Sequence, residues 1–244
     1  MPSNYGHGAN VLYNVDLVFC IDATGSMQME RLLEMVKEKA LSFYHDLTDC
    51  MESLDNPKHV NQLRIRLIAF RDYLADGMDA MLTTNFFTLP QERELFEEAV
   101  QGITAQGGGD DPEDGLEALA YAIRSNWCEG GRQADGTTVK RRQVIVLWTD
   151  EEAHDLGFGK KADNYPREYM AKDFAELTSW WGDDDEPGYM DPNFKRLLLY
   201  APATKNWKMI SDNWDNVLHF QSEAGAGLDT ITYDQILHVI AGSI

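Results

Sequence analysis

The chain has 244 residues, 43% of them apolar and 11% aromatic, which suffices for a buried core and argues against wholesale disorder. Its 41 acidic residues outnumber 21 basic ones, and the net charge of -20 disfavours nucleic acid and anionic membrane surfaces as partners. No apolar run approaches the ~20 residues that a membrane span needs.

Residues 1–14 are polar and rich in Gly and Asn, and read as an N-terminal extension without the basic start and apolar stretch of a signal peptide. Val15 to Ile21 is a nearly continuous apolar run, as expected of a strand covered on both faces. Leu32, Leu33, Val36, Ala40, Phe43, Tyr44 and Leu47 then recur at helical spacing. Leu63 to Phe70 alternates like a strand, and Phe86 to Leu89 is a weaker one. A helix follows Pro90, with Leu95, Phe96, Ala99 and Val100 expected to face inward.

The next helix spans Glu113 to Arg124, with Pro112 in its first turn and Leu116, Leu119, Ala120 and Ile123 on its core side. Val144 to Trp148 is the second strongly apolar strand, Arg196 to Tyr200 a third and Val217 to Phe220 a short fourth. Thr230 to Ala241 reads as a closing helix. Alternating strands and helices predict an α/β fold, doubly wound around a mostly parallel sheet, as a single domain over 15–244. An acidic, Gly/Pro-containing stretch near 180–193 interrupts it as a loop insertion. Asp183 and Asp185 have the spacing of a calcium loop, but Pro187 and Phe194 occupy positions where ligands belong, so a solvated insertion is the better reading. Cys20, Cys50 and Cys128 are an odd count without metal-like spacing, which predicts buried thiols in a reducing, cytoplasmic setting.

The chemistry follows the two most apolar strands. The first ends in Asp22-Ala-Thr24-Gly-Ser26, the second in Thr149-Asp150. Open α/β sheets bind ligands outside the carboxyl ends of their strands, where the strand order reverses. Carboxylates and hydroxyls there are oxygen donors suited to Mg²⁺, with Mn²⁺ or Ca²⁺ as alternatives, and not to zinc or copper. Gly107-Gly-Gly-Asp110-Asp-Pro-Glu113 adds a glycine-rich loop before a helix.

With Asp22-x-Thr24-x-Ser26 and Asp150, the sequence resembles the von Willebrand factor A-type domains and their metal-ion-dependent adhesion site, in particular stand-alone bacterial members. The family pattern is Asp-x-Ser-x-Ser, then a Thr, then an Asp on three loops, and Thr24 keeps the hydroxyl of the Ser it replaces. The middle loop departs from the pattern by offering a carboxylate: alignment on the glycines selects Asp110, alignment on Pro-Glu selects Glu113, and Asp110 is placed ahead. A third acid strengthens the hold on a cation and weakens the attraction for an incoming carboxylate. The resemblance implies a metal-dependent protein-binding adaptor without catalysis, in which a partner's Asp or Glu completes the metal coordination.

The rival reading is a phosphatase-like α/β hydrolase with Asp22 as nucleophile. Against it, Thr24 stands where small phosphatases carry their second acid, and the glycine loop follows a helical segment instead of an apolar strand. Glu151, Glu152, His154 and Asp155 read as a solvated rim, and Arg71 with Asp72 as an internal salt bridge steadying the loops. Trp180-Trp181, Trp207 and Trp214 are either an interface or packed helix faces.

Overall fold

A continuous apolar strand flanked by alternating ones can be satisfied only at the centre of a sheet, and the computed structural model places Val11–Asp22 (β1) there. It describes residues 11–25, 42–108, 112–222 and 232–244. β1 pairs in parallel with His59–Phe70 (β2) on one side and with Thr138–Trp148 (β6) on the other. Lys195–Pro202 (β7) and Val217–Ser222 (β8) continue the parallel set beyond β6. Met81–Thr83 (β3) and Phe87–Leu89 (β4) both run antiparallel to β2, and Gly131–Arg132 (β5) antiparallel to β6. The order is β3-β2-β1-β6-β7-β8, so the chain winds outward from β1 in two directions.

Helices cover both faces. Phe43–Glu52 (α1), Arg93–Gly102 (α3) and Tyr233–Ser243 (α7) cover one face of the sheet, where the core includes Leu17, Phe19, Leu63, Leu67 and Val146. On the other, Gly115–Ile123 (α4), Phe174–Trp181 (α5) and Lys205–Asn213 (α6) pack on Val18, Ile68, Ile145 and Leu199. The short Tyr73–Asp76 helix (α2) follows β2 directly. This is the doubly wound α/β architecture expected from the alternation of elements.

Several expectations change in detail. β1 starts at Val11 and β2 at His59, because backbone pairing extends both strands beyond their apolar runs. β3 and β5, too short to leave a pattern, are additions. Leu95 points to solvent, while Phe96 and Val100 carry the core contacts of α3. Pro112 lies ahead of α4, whose N-cap is Asp114. α7 begins at Tyr233 behind a Thr232–Gln235 capping box; Thr230 lies outside the described residues, as do Leu32, Leu33, Val36 and Ala40. Trp181, Trp207 and Trp214 are core residues, with Trp181 stacked on Trp214 at 5.2 Å between ring centroids. The 183–187 stretch is exposed, closed at its base by a Gly182–Pro187 bridge.

In the middle of β1, an ion pair holds that strand to β2. Arg64 donates through Nε and Nη2 to the two oxygens of Asp16, at 2.8 and 2.6 Å, and the Cys128 amide donates to the same carboxylate. No helix among the described residues is long and apolar enough to cross a membrane.

Candidate functional site

β1 and β6 are neighbours, and the chain leaves them toward opposite sides of the sheet, so their carboxyl ends flank the switch in strand order. Asp22 is the last residue of β1, and Thr149 and Asp150 directly follow β6. All three are buried. Asp22 Oδ1 accepts from the Thr24 amide at 3.0 Å and its hydroxyl at 2.7 Å, while Oδ2 accepts from the Thr149 hydroxyl at 2.7 Å. Burial pushes the Asp22 carboxyl up to about 6; the Thr149 and Thr24 hydrogen bonds oppose this, and the Asp150 charge adds to it.

The glycine loop approaches from the β2 side. The Gly25 amide donates to Gly107 O at 3.0 Å and the Gln106 amide to Ala23 O at 3.0 Å, so residues 104–108 lie against the turn after β1. Gly107 and Gly108 have φ of 78° and 77°, in the left-handed region that favours glycine. A Cβ on Gly108 would come within 3.0 Å of both Glu113 Oε1 and Thr24 Cβ, which puts the Glu113 carboxylate beside Thr24. Glu113 is fixed by backbone: its amide donates to Glu152 O, and its carbonyl accepts from the His154 amide at 2.8 Å. Its Oε2 is buried without a hydrogen-bond partner among the described residues. Burial, then the charges of Asp22, Asp72, Asp76 and Asp114, push Glu113 up to about 9.

The structure thus brings Asp22, Thr24, Glu113 and Asp150 together. Ser26 and Asp110 lie outside the described residues. Among the described residues, no three His, Cys, Asp or Glu side chains stand in metal-holding geometry. Asp22 has both its oxygens engaged by hydroxyl and amide donors instead. The donor chemistry still suits a hard cation: every group is an oxygen, and one buried carboxylate oxygen is orphaned.

Three neighbours differ from their expected roles. Arg71 forms no salt bridge with Asp72; its guanidinium donates to the carbonyls of Ala23, Asp79 and Thr104, clamping the loops after β1 and β2 to the approach of the glycine loop. Asp72 instead caps α2 through the amides of Leu74 and Ala75. His154 is not a solvated rim residue: it is buried, its Nδ1 3.3 Å from Asp114 Oδ1 and 3.9 Å from Asp72 Oδ2, its ring stacked on Phe158 at 3.9 Å. The Thr149 hydroxyl and Asp114 are additions to the residues that the sequence singles out. Thr149 carries a faint signal, a hydroxyl at a strand end next to a candidate acid; Asp114 carries none, since the helix expected from Glu113 already contained it.

No family model and no curated protein matches the sequence. Solved structures with a similar course of chain include the pilus adhesin SpaC from Lactobacillus rhamnosus GG, 17% identical over 57% of this chain and 16% of the adhesin, TM-score 0.36. Proximal thread matrix protein 1 from the mussel byssus is 12% identical over 96% of this chain and 49% of its own, TM-score 0.44. The form of that protein with a zinc-occupied MIDAS motif is 11% identical over 96% and 48%, TM-score 0.43. The chain therefore spans at most about half the length of these proteins. Likeness at this level carries no functional argument; the doubly wound α/β fold rests on the strand order itself.

Proposed function

We propose that this chain is a divalent-cation-dependent protein-binding domain of the von Willebrand A type, without catalytic activity, working in a reducing compartment. The observation that carries the reading is the meeting of Asp22, Thr24, Glu113 and Asp150 at the strand switch, with Glu113 Oε2 buried and unpartnered among the described residues. These residues hold the ion in this reading, with Ser26 and Asp110 added on the strength of the sequence motif alone. Mg²⁺ is the first choice and Mn²⁺ or Ca²⁺ the alternatives, since all the donors are oxygen. The bound ion supplies a coordination position for an Asp or Glu carboxylate of the partner. The chain's own part is to fix the donors: Arg71 clamps the loops, the left-handed Gly108 leaves room for Glu113, and Thr149 orients Asp22. Three buried thiols outside any disulfide agree with the compartment assigned.

Calorimetric titration of the metal-stripped protein with Mg²⁺ and Mn²⁺, alongside Asp22→Ala, tests the reading. One-site binding that vanishes in the variant is expected. Identical traces for the two proteins would reduce the constellation to loop capping and remove the basis for a metal-dependent partner.

A further inference from the structure

A second constellation lies at the far end of α4 from Glu113. Arg124 is the C-cap of that helix, and three aromatic rings surround its guanidinium. The guanidinium carbon lies 5.1 Å from the ring centroid of Trp180, 5.5 Å from that of Tyr189 and 5.6 Å from that of Tyr169. Each is within the ~6 Å over which a cation is attracted to a ring face. Trp180 and Tyr189 meet edge to face at 88°, forming two walls of a corner, and Arg124 Nη1 donates to Tyr169 O at 2.8 Å.

The walls are built in. The Tyr189 amide donates to Trp180 O at 2.8 Å, and a Cβ on Gly188 would come within 2.1 Å of the same oxygen. Only glycine at 188 allows this approach. Yet the assembly is not core: Tyr169 is 63% exposed and Tyr189 54%. A staple serving stability alone would gain more from burying those rings than from leaving them in water.

The surroundings select the sign of a ligand. Asp183, Asp184, Asp185 and Glu186 are four successive exposed acids in the loop between Trp180 and Tyr189. Asp184 and Tyr189 line one cleft of about 420 Å³ together with Pro187. Asp191 in that cleft is already paired with Arg141 at 2.6 Å. Anionic groups are repelled there, and the chain's net charge of -20 adds to the repulsion.

We propose that Tyr169, Trp180 and Tyr189 form a receptor for an arginine or lysine side chain in a basic segment of a partner protein, and that Arg124 occupies it in the unbound chain. The partner's cation displaces Arg124 from the rings, while its neighbouring basic residues face the acidic loop. This site is independent of the metal reading, being formed by other residues and needing no ion.

The test is calorimetric titration of the full chain with tetra-arginine, in buffer containing a metal chelator. Tyr189→Ala and Tyr169→Ala should each weaken binding about threefold, in keeping with the loss of one exposed cation–ring contact. Arg124→Gln keeps a donor for Tyr169 O and removes the competing charge, so it should tighten binding by a similar factor. Tyr189→Phe should bind like the unaltered chain, and circular dichroism melts show that each variant is folded. Equal affinity across the ring variants would mean attraction by bulk charge alone and overturn the proposal. Unchanged or weaker binding by Arg124→Gln would overturn it too, leaving Arg124 as a structural tie.

Discussion

The Thr149 hydroxyl donates to Asp22 Oδ2 at 2.7 Å, joining the ends of two adjacent parallel strands across 127 residues of sequence. Asp22 is buried, and hydrogen bonds to its charged form offset part of the cost of burying it. Thr149→Val keeps the shape and removes the donor. Stability should fall by about 1–3 kcal/mol, the usual cost of leaving a buried acceptor unmatched. Urea unfolding with an unchanged slope and a lower midpoint is the expected result, and an unchanged midpoint would refute it.

Glu113, pushed up to about 9, is protonated at pH 7 in the absence of a cation, whereas Asp22, at about 6, is mostly ionised. A cation must displace the Glu113 proton to be bound by that carboxylate. Binding at pH 7 should therefore release close to one proton, read from titrations in buffers of different ionisation heat. Apparent affinity should rise from pH 6 to pH 9. In Glu113→Gln the release should disappear; its persistence would place the proton elsewhere.

Asp16 and Arg64 give a prediction for stability alone. Asp16 is fully buried, and Arg64 meets both its oxygens. Arg64→Leu strands a buried charge and should cost about 3–5 kcal/mol. Adding Asp16→Asn removes that charge and keeps an acceptor for the Cys128 amide, so the double variant should recover part of the loss. Chemical denaturation of the unaltered chain, of Arg64→Leu and Asp16→Asn singly and of the double variant measures the coupling.

Glu117 is buried in α4, where its Oε1 accepts from the Gly157 amide and the Tyr165 hydroxyl. Burial first, and then the Asp114 charge, push it up to about 8 from an ordinary 4.5. An acid raised in the folded state favours folding below its unfolded value and loses that advantage as pH rises through the folded value. Glu117→Gln retains the acceptor and cannot ionise. Relative to it, the unaltered chain should lose stability steadily as pH rises from roughly 4.5 to 8. A stability difference independent of pH across that window would show that Glu117 ionises in the fold as freely as in water.

The sheet is legible in the sequence because β1 and β6 are apolar on both faces, and only a central parallel strand satisfies such a sequence. Asp22 and Asp150 follow from those strands, since a strand's end fixes where the next residue stands. Leu95 departs from its expected place because four apolar residues fit one helical stripe loosely, and only two are needed against the sheet. Arg71 and His154 depart for a different reason. Their partners are carbonyls and acids from distant loops, and side-chain charge in sequence says nothing of which backbone groups come within reach. The cage around Arg124 is hidden likewise, because its rings come from three separate stretches of chain that only the fold brings together.

Helix α4 is nine residues long, about 13 Å, and every residue of it except Tyr121 is buried. Glu113 stands just before it and Arg124 just after. Close packing on the sheet and against Trp207, whose ring leaves no room for a side chain at Gly115, makes the helix a rod with no slack along its axis. One buried helix therefore sets the distance between the Glu113 carboxylate at its start and the Arg124 guanidinium at its end, two chemically separate places spaced by a single element.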